Sequence, residues 1–388
     1  MIYLDYNATT PVDQRVLDAM LPYFREHFGN PSSGHGQGRA AREALERARQ
    51  KVASLLGADV SEIIFTSGGS ESNNTVIQGV ANAFKGKRRH VVTAQCEHPS
   101  VLEPCRALEA DGVEVTYLPV DSHCLVDPQE VRKALKPHTI LITIMHANNE
   151  VGTIQPISEI GRIAREAGVL FHTDAAQSVG MIPLDVREMG VDFVTIAGHK
   201  LYAPKGVGAL FMREGVVLPP LIMGASQERG RRAGTQSVPL VVALGEACEL
   251  ASMLLPEEMN RIKGLRDELQ KRLEQVAPGL ALNGHPEQRL PNTLNVSFKG
   301  VSGAVLLREL NDICASVGSA CHDGSGEISP VLRAMGLTEQ RAMGAVRFSL
   351  GRWTTQEDVT LTVEAVKHWV SRRNKGIKGW ISRLWRRS

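Results

Sequence analysis

Between residues 37 and 212 the apolar positions of the chain switch repeatedly between two periods. In "GRAAREALERARQKVASLLG", Ala41, Leu45, Ala48, Val52 and Leu55 recur at three- and four-residue spacing, which predicts a helix with one buried face. Short runs of β-branched and apolar residues follow: "EIIFTSG", "HVVTAQ", "VEVTYLPV", "TILITIMHA", "VLFHTDA" and "DFVTIAG". These read as strands too apolar to face water. Helical patterns separate several of them. "SESNNTVIQGVANAF" is predicted helical with Ser70 as its cap, and "PISEIGRIAREAG" opens on proline and closes at Gly168. Strands alternating with helices predict a mainly parallel sheet covered on both faces.

After about Ser237 the texture changes. "VPLVVALGEACELASMLL" and "MNRIKGLRDELQKRLEQV" predict a long helical stretch, and the shorter strands "NTLNVSF", "ICASVG" and "AVRFSL" come after it. The expected organisation is a large α/β domain over residues 13–254 and a smaller α+β domain over residues 255–374, against which the N-terminal arm (residues 1–12) packs. Residues 375–388 form a separate tail.

Composition narrows the class. A chain of 388 residues, 43% hydrophobic and 22% charged, is of the ordinary globular kind. No apolar run approaches the roughly 20 residues of a bilayer span, and "MIYLDYNATTPVD" lacks a secretory pattern. Six irregularly spaced cysteines without a CxxC or HExxH pattern suggest a reducing compartment and no metal site, so a cytoplasmic location is expected. The formal charge of +2 hides eight Lys and Arg residues from Lys367 onward, which leaves −6 on the body. An acidic body excludes the profile of a nucleic-acid-binding fold. The tail "NKGIKGWISRLWRRS" sets Ile377, Trp380, Ile381, Leu384 and Trp385 on one face of a basic helix interrupted by Gly376 and Gly379. Three occupants suit such a stripe: its own dimer, a partner protein or an anionic membrane surface.

The chemistry collects at predicted strand ends. Gly68-Gly69-Ser70 follows one strand and opens a helix, the arrangement that cradles a phosphate. His98, Asn148, Asn149, Asp174 and Gln177 follow three others, and His199-Lys200 ends "DFVTIAG". Ligands of open α/β sheets sit beyond these carboxyl ends. A lysine there pays a desolvation cost unless it gives up its proton and bonds a carbonyl. A phosphate cradle, an acid, an imidazole, amides and a lysine together form the set that pyridoxal phosphate requires.

At greater length the match becomes specific. "YLDYNATTP", "FTSGGSESNN", "NNEVGTIQPI", "HTDAAQSVG", "GHKLYAPKGVGAL", "QERGRRAGT", "SVGSAC" and "VRFSLGR" occur in order over almost the whole chain. The sequence resembles the cysteine desulfurases of the NifS/IscS type, class-V members of the fold-type-I pyridoxal-phosphate enzymes. "SGGSESNN", "TIAGHK" and "SVGSACH" also resemble the related selenocysteine lyases. The resemblance implies a homodimer acting on L-cysteine, with L-selenocysteine the alternative substrate, and delivering sulfur to an acceptor or scaffold protein for iron–sulfur cluster or thiolation pathways. It implies that Lys200 forms the imine with the cofactor and that Asp174 pairs with its ring nitrogen. His98 stacks on the ring as general acid or base, and Gln177 and Asn149 bond its phenolic oxygen. Gly69, Ser70, His199 and Thr235 of the other subunit hold the phosphate, and Arg347, with Asn149, takes the substrate carboxylate. Cys321 accepts the sulfur as a persulfide, from a loop rich in glycine and serine ("SVGSACHDGSGEISP") beside His322. The remaining cysteines are expected to be buried and inert.

Two departures from the family pattern stand out. Ala197 replaces a serine that commonly precedes Gly-His-Lys, and "CHDGSGEIS" leans toward the lyases. A non-catalytic sulfur-trafficking subunit of the same fold is a third reading. The intact Lys200, Asp174, His98 and Cys321 argue against it.

Overall fold

The structure, a computed structural model, describes residues 1–318 and 328–385, with side chains through residue 373. In chain order its strands are β1 (Ile2–Tyr3), β2 (Ile63–Thr66), β3 (His90–Ala94), β4 (Glu114–Leu118), β5 (Thr139–Thr143), β6 (Leu170–Asp174), β7 (Phe193–Ala197), β8 (Gly208–Met212), β9 (Ala281–Asn283), β10 (Thr293–Ser297), β11 (Ile313–Cys314) and β12 (Ala345–Ser349). Seven of them form the main sheet in the order β2-β8-β7-β6-β5-β3-β4. It is parallel except for β8, which runs antiparallel to both neighbours. The connection from β7 to β8 spans only Gly198 to Val207, too short for the crossover that a parallel partner needs. Every residue of β2, β3, β5, β7 and β8 is buried, as their unbroken apolar runs predict.

Two histidines lie inside this sheet, each between threonines of the flanking strands. His90 bonds Thr139 Oγ1 at 2.8 Å and Thr116 Oγ1 at 2.9 Å. His172 bonds Thr143 Oγ1 at 2.8 Å and Thr195 Oγ1 at 3.1 Å. Burial pushes both rings down to about 4 from the ordinary 6.5. Between these values the unfolded chain binds protons that the native chain does not, so stability falls as pH drops through this window. His172 alone is expected to lower the unfolding free energy by about 2 kcal/mol between pH 7 and pH 5. Urea midpoints at the two pH values check this, and an unchanged midpoint contradicts it.

A three-stranded antiparallel sheet, β12-β10-β9, forms the smaller unit. The N-terminal strand β1 pairs in parallel with β11, which ties the arm to that unit. The expected long helical stretch is one helix, Val238–Val276, continuous through Pro256. By length and composition this helix is apolar enough to cross a bilayer, but it serves here as a core helix. Val241, Leu244, Cys248 and Ala251 are buried, and Gly245 lies so close to the helix Gly36–Leu56 that a Cβ would stand 2.7 Å from Ala48 Cα. At the C-terminus the backbone is helical from Gln356 to Trp385, which includes most of the predicted tail; the tail's side chains lie outside the description.

Candidate active site

The site forms along the carboxyl edge of the main sheet, where β2, β3, β5, β6 and β7 all end. Beyond β2 the chain turns at Gly68, whose φ of +151° favours glycine, and enters the helix Gly69–Ala83. The N-cap is Gly68, and Ser70 lies in the first turn, which corrects the sequence expectation. Returning strand β8 packs tightly under this turn: a Cβ on Gly208 would stand 2.7 Å from Gly68 Cα. Glu71 braces the turn by accepting from Ser67 N at 2.8 Å while pairing with Arg232 at 2.9 Å.

Beyond β3, His98 caps the helix Pro99–Ala110. Its Nδ1 accepts from the Ser100 amide at 3.1 Å, and an amide only donates, so the ring proton sits on Nε2. Burial lowers the His98 pKa, a shift that Asp174 opposes and Lys200 assists, so the ring is neutral at pH 7. Glu97, just before it, is fully enclosed. It accepts from Met145 N at 2.7 Å, and burial raises its pKa.

Asp174 ends β6 and is 8% exposed. One oxygen accepts from Asn73 Nδ2 at 2.7 Å and the other from Ala176 N at 2.9 Å. Asn73 also donates to Ser100 Oγ at 2.8 Å, and Ser100 Oγ bonds His98 Nδ1 at 2.8 Å. A continuous hydrogen-bond chain therefore links Asp174 to His98. Neither Asn73 nor Ser100 was expected from the sequence. The available signal is an asparagine on the helix face that also carries Val76, Ile77 and Val80, where a polar group needs a partner.

Lys200 lies in the short turn Gly198–Lys200 after β7. Its Nζ donates to the carbonyls of Asn7 and, at 2.7 Å, Ala8. Gln177 Nε2 donates to the same Asn7 carbonyl at 3.1 Å. His199 Nδ1 lies 3.2 Å from Thr9 Oγ1, and the His199 carbonyl accepts from Thr10 Oγ1 at 3.0 Å. Burial, with Lys200 and Lys205 nearby, pushes the His199 ring down to about 4. Asn7 and Ala8 of the arm thus line the site, with Thr9 and Thr10 bracing His199, which no local pattern predicts.

Arg347, in the middle of β12, is 1% exposed. The expectation was a fork facing the substrate; the fork is already engaged. One terminal nitrogen bonds Asp5 Oδ1 at 2.7 Å and the other bonds the Asn149 carbonyl at 2.9 Å. Its Nε has no partner among the described residues.

A cavity of about 240 Å³ joins these groups. Gly69, Ser70, His98, Asn149, Asp174, Gln177, His199, Lys200 and Arg347 all line it. Ala197 lines it too, presenting a methyl group where a serine would offer a donor. Thr235 does not line it and is exposed, in the loop that follows the segment Gln227–Gly230. Cys321 lies outside the described residues, but both flanks of its segment reach the site. Ser316 pairs with Arg347 through backbone hydrogen bonds in both directions, and Ser329 Oγ bonds Glu150 at 2.5 Å. Of the other cysteines, Cys96, Cys105, Cys124 and Cys248 are buried, and Cys314 is half-buried on β11.

Comparison with known proteins identifies the family. Residues 2–361 match the family described as Aminotransferase class-V. A cysteine desulfurase IscS of Dictyoglomus turgidum is 50% identical over 368 residues, 94% of this chain and 93% of its own. A cysteine desulfurase of Mus musculus is 49% identical over 387 residues, 99% of this chain and 83% of its own. Among solved structures, a NifS-like protein superposes with a TM-score of 0.90 at 40% identity, covering 95% of this chain and 99% of the other. SspA in complex with cysteine gives 0.83 at 40% identity, covering 92% and 100%. The chain belongs to the class-V aminotransferase family, among its cysteine desulfurases.

Proposed function

We propose that this protein is a pyridoxal-phosphate-dependent cysteine desulfurase that converts L-cysteine to L-alanine and passes the sulfur to Cys321 as a persulfide. The observation that carries the reading is one cavity holding Lys200, Asp174, His98 and the glycine turn at a helix N-terminus. That donor set fits the cofactor: an anionic acid for a protonated ring nitrogen, backbone amides for a phosphate and an amine for a carbonyl. Bound there, pyridoxal phosphate supplies an electron sink for the carbon that bears the substrate's amino group.

The chain's own residues do the rest. Asp174, fixed by Asn73 and Ala176, keeps a negative charge in the cavity. Neutral His98, with its proton on Nε2, has a proton to donate and a ring face to pack against an aromatic system. Lys200 would hold the cofactor through its carbonyl, and its amine is the group placed to move protons at the substrate's α carbon. Arg347 receives the substrate carboxylate. The Cys321 thiolate attacks the substrate sulfur, so an S–S bond forms as the C–S bond breaks. The electron pair stays on carbon, which is then protonated to give alanine. In a homodimer, the exposed Thr235 completes the phosphate site of the other subunit.

The test is chalcogen release by purified wild type and Cys321→Ser, with L-cysteine and L-selenocysteine side by side. The expected result is turnover of cysteine in the wild type and its loss, by at least about 100-fold, in the variant. Cysteine turnover that survives the substitution overturns the persulfide step. Activity on selenocysteine alone moves the protein to the lyases.

A further inference from the structure

Arg347 already holds a carboxylate, and that carboxylate belongs to the chain itself. Asp5 reaches it from the N-terminal arm through a single contact, Oδ1 to one terminal nitrogen at 2.7 Å. The guanidinium is almost wholly enclosed, with 2% of its side chain exposed, whereas Asp5 keeps 19%. Because Asp5 engages only one nitrogen, Nε–H is left without an acceptor in the described structure. A buried donor in that state costs free energy, and a carboxylate that also reaches Nε relieves it.

The guanidinium does not depend on Asp5 for its position. The backbone of Arg347 is paired with Asn295 on one side and Ser316 on the other. Its second terminal nitrogen is anchored on the Asn149 carbonyl at 2.9 Å. Asp5 is free to exchange, because its own segment is held by backbone: Asp5 pairs with Ser349, and its carbonyl accepts from Ala8 N at 3.0 Å.

We propose that Asp5 is the resident counter-ion of Arg347 and a specificity-determining residue, one that an incoming ligand carboxylate must displace by offering two oxygens where Asp5 offers one. The inference rests on the reading that Arg347 takes the substrate carboxylate. Its consequence is selective. Ligands without a carboxylate gain nothing from the exchange and leave Asp5 in place, whereas a bidentate carboxylate wins it.

The test uses the holoenzyme and two thiols that each carry one half of the substrate: 3-mercaptopropionate, with the carboxylate but no amine, and cysteamine, with the amine but no carboxylate. Calorimetric titration of Asp5→Asn should show 3-mercaptopropionate binding roughly tenfold or more tighter than in the wild type, since a charged competitor has been removed. Cysteamine affinity should not change. Unchanged or weaker binding of 3-mercaptopropionate overturns the proposal and makes Asp5 a support for Arg347. A second measurement needs no variant: saturating wild type with 3-mercaptopropionate, but not with cysteamine, should shift the side-chain carboxyl carbon resonance of Asp5, because the exchange moves that carboxylate and leaves the backbone pairing of the arm in place. An Asp5 resonance that does not respond counts against displacement even if Asp5→Asn fails to fold. Arg347→Gln separates the underlying reading, because wild-type affinity for 3-mercaptopropionate in that variant means that Arg347 is not the carboxylate site.

Discussion

Lys200→Arg should abolish desulfurase activity, by at least about 10⁴-fold, while leaving the protein folded. The comparison with arginine is informative because the charge survives. Nζ of Lys200 is a cationic donor to the Asn7 and Ala8 carbonyls, and a guanidinium can make similar bonds. If the residue served only to pin the arm, the variant would stay active. A guanidinium, however, does not lose its proton at any working pH, so it neither bonds a carbonyl carbon nor shuttles protons. Lys200→Ala should lose as much activity, and it also removes a donor from two arm carbonyls. Gln177 still serves Asn7, so the loss falls mainly on Ala8. A readout independent of turnover is covalent attachment. After borohydride reduction the cofactor mass should map to the peptide containing Lys200 in the wild type and to no peptide in either variant. Activity above about 1% in Lys200→Arg would remove the lysine from the chemistry.

The site's chemical groups were legible because most of them end strands. A run such as "DFVTIAG" announces where the chain leaves the sheet, and the first polar residues beyond it fall on the carboxyl edge by geometry alone. That logic found Lys200, Asp174 and His98 before any comparison. It did not find their partners. Asp5 meets Arg347 across 342 positions, and Asn7 meets Lys200 across 193, contacts that no local period encodes. The capping error at Ser70 has a local cause. Serine is the stronger cap by preference, but the turn here needs a φ that glycine favours, and it takes the cap position instead. The reversal of β8 was hidden for a different reason. A strand buried on both faces has the same composition whichever way it runs, and only the shortness of the Gly198–Val207 connection reveals its direction.

Asp174→Asn is expected to be the second most damaging substitution at the site, although it changes no more than an oxygen to an NH₂. In the wild type one Asp174 oxygen accepts from Asn73 Nδ2 at 2.7 Å and the other from Ala176 N at 2.9 Å, so both neighbours are donors. An asparagine has one acceptor to offer. Either way round, its NH₂ faces a donor: the Asn73 amide or the Ala176 backbone. The simplest escape, rotating Asn73, breaks its bond to Ser100 Oγ, and through Ser100 the contact that sets the His98 tautomer. The lost charge matters more. Asp174 is 8% exposed; under the proposed function it would pair with the cofactor's ring nitrogen, and removing one member of a buried ion pair costs about 3–5 kcal/mol. If that loss falls on the reacting state, it lowers turnover by roughly 10²- to 10⁴-fold. Asp174 also opposes the lowering of the His98 pKa, so the variant's ring should protonate only at still lower pH. Cofactor retention after dialysis, measured beside turnover, separates weak binding from impaired chemistry. Full retention with activity within tenfold of wild type would mean that Asp174 is only a scaffold for Asn73. Full retention with activity down by 10² or more would place its charge in the reaction itself.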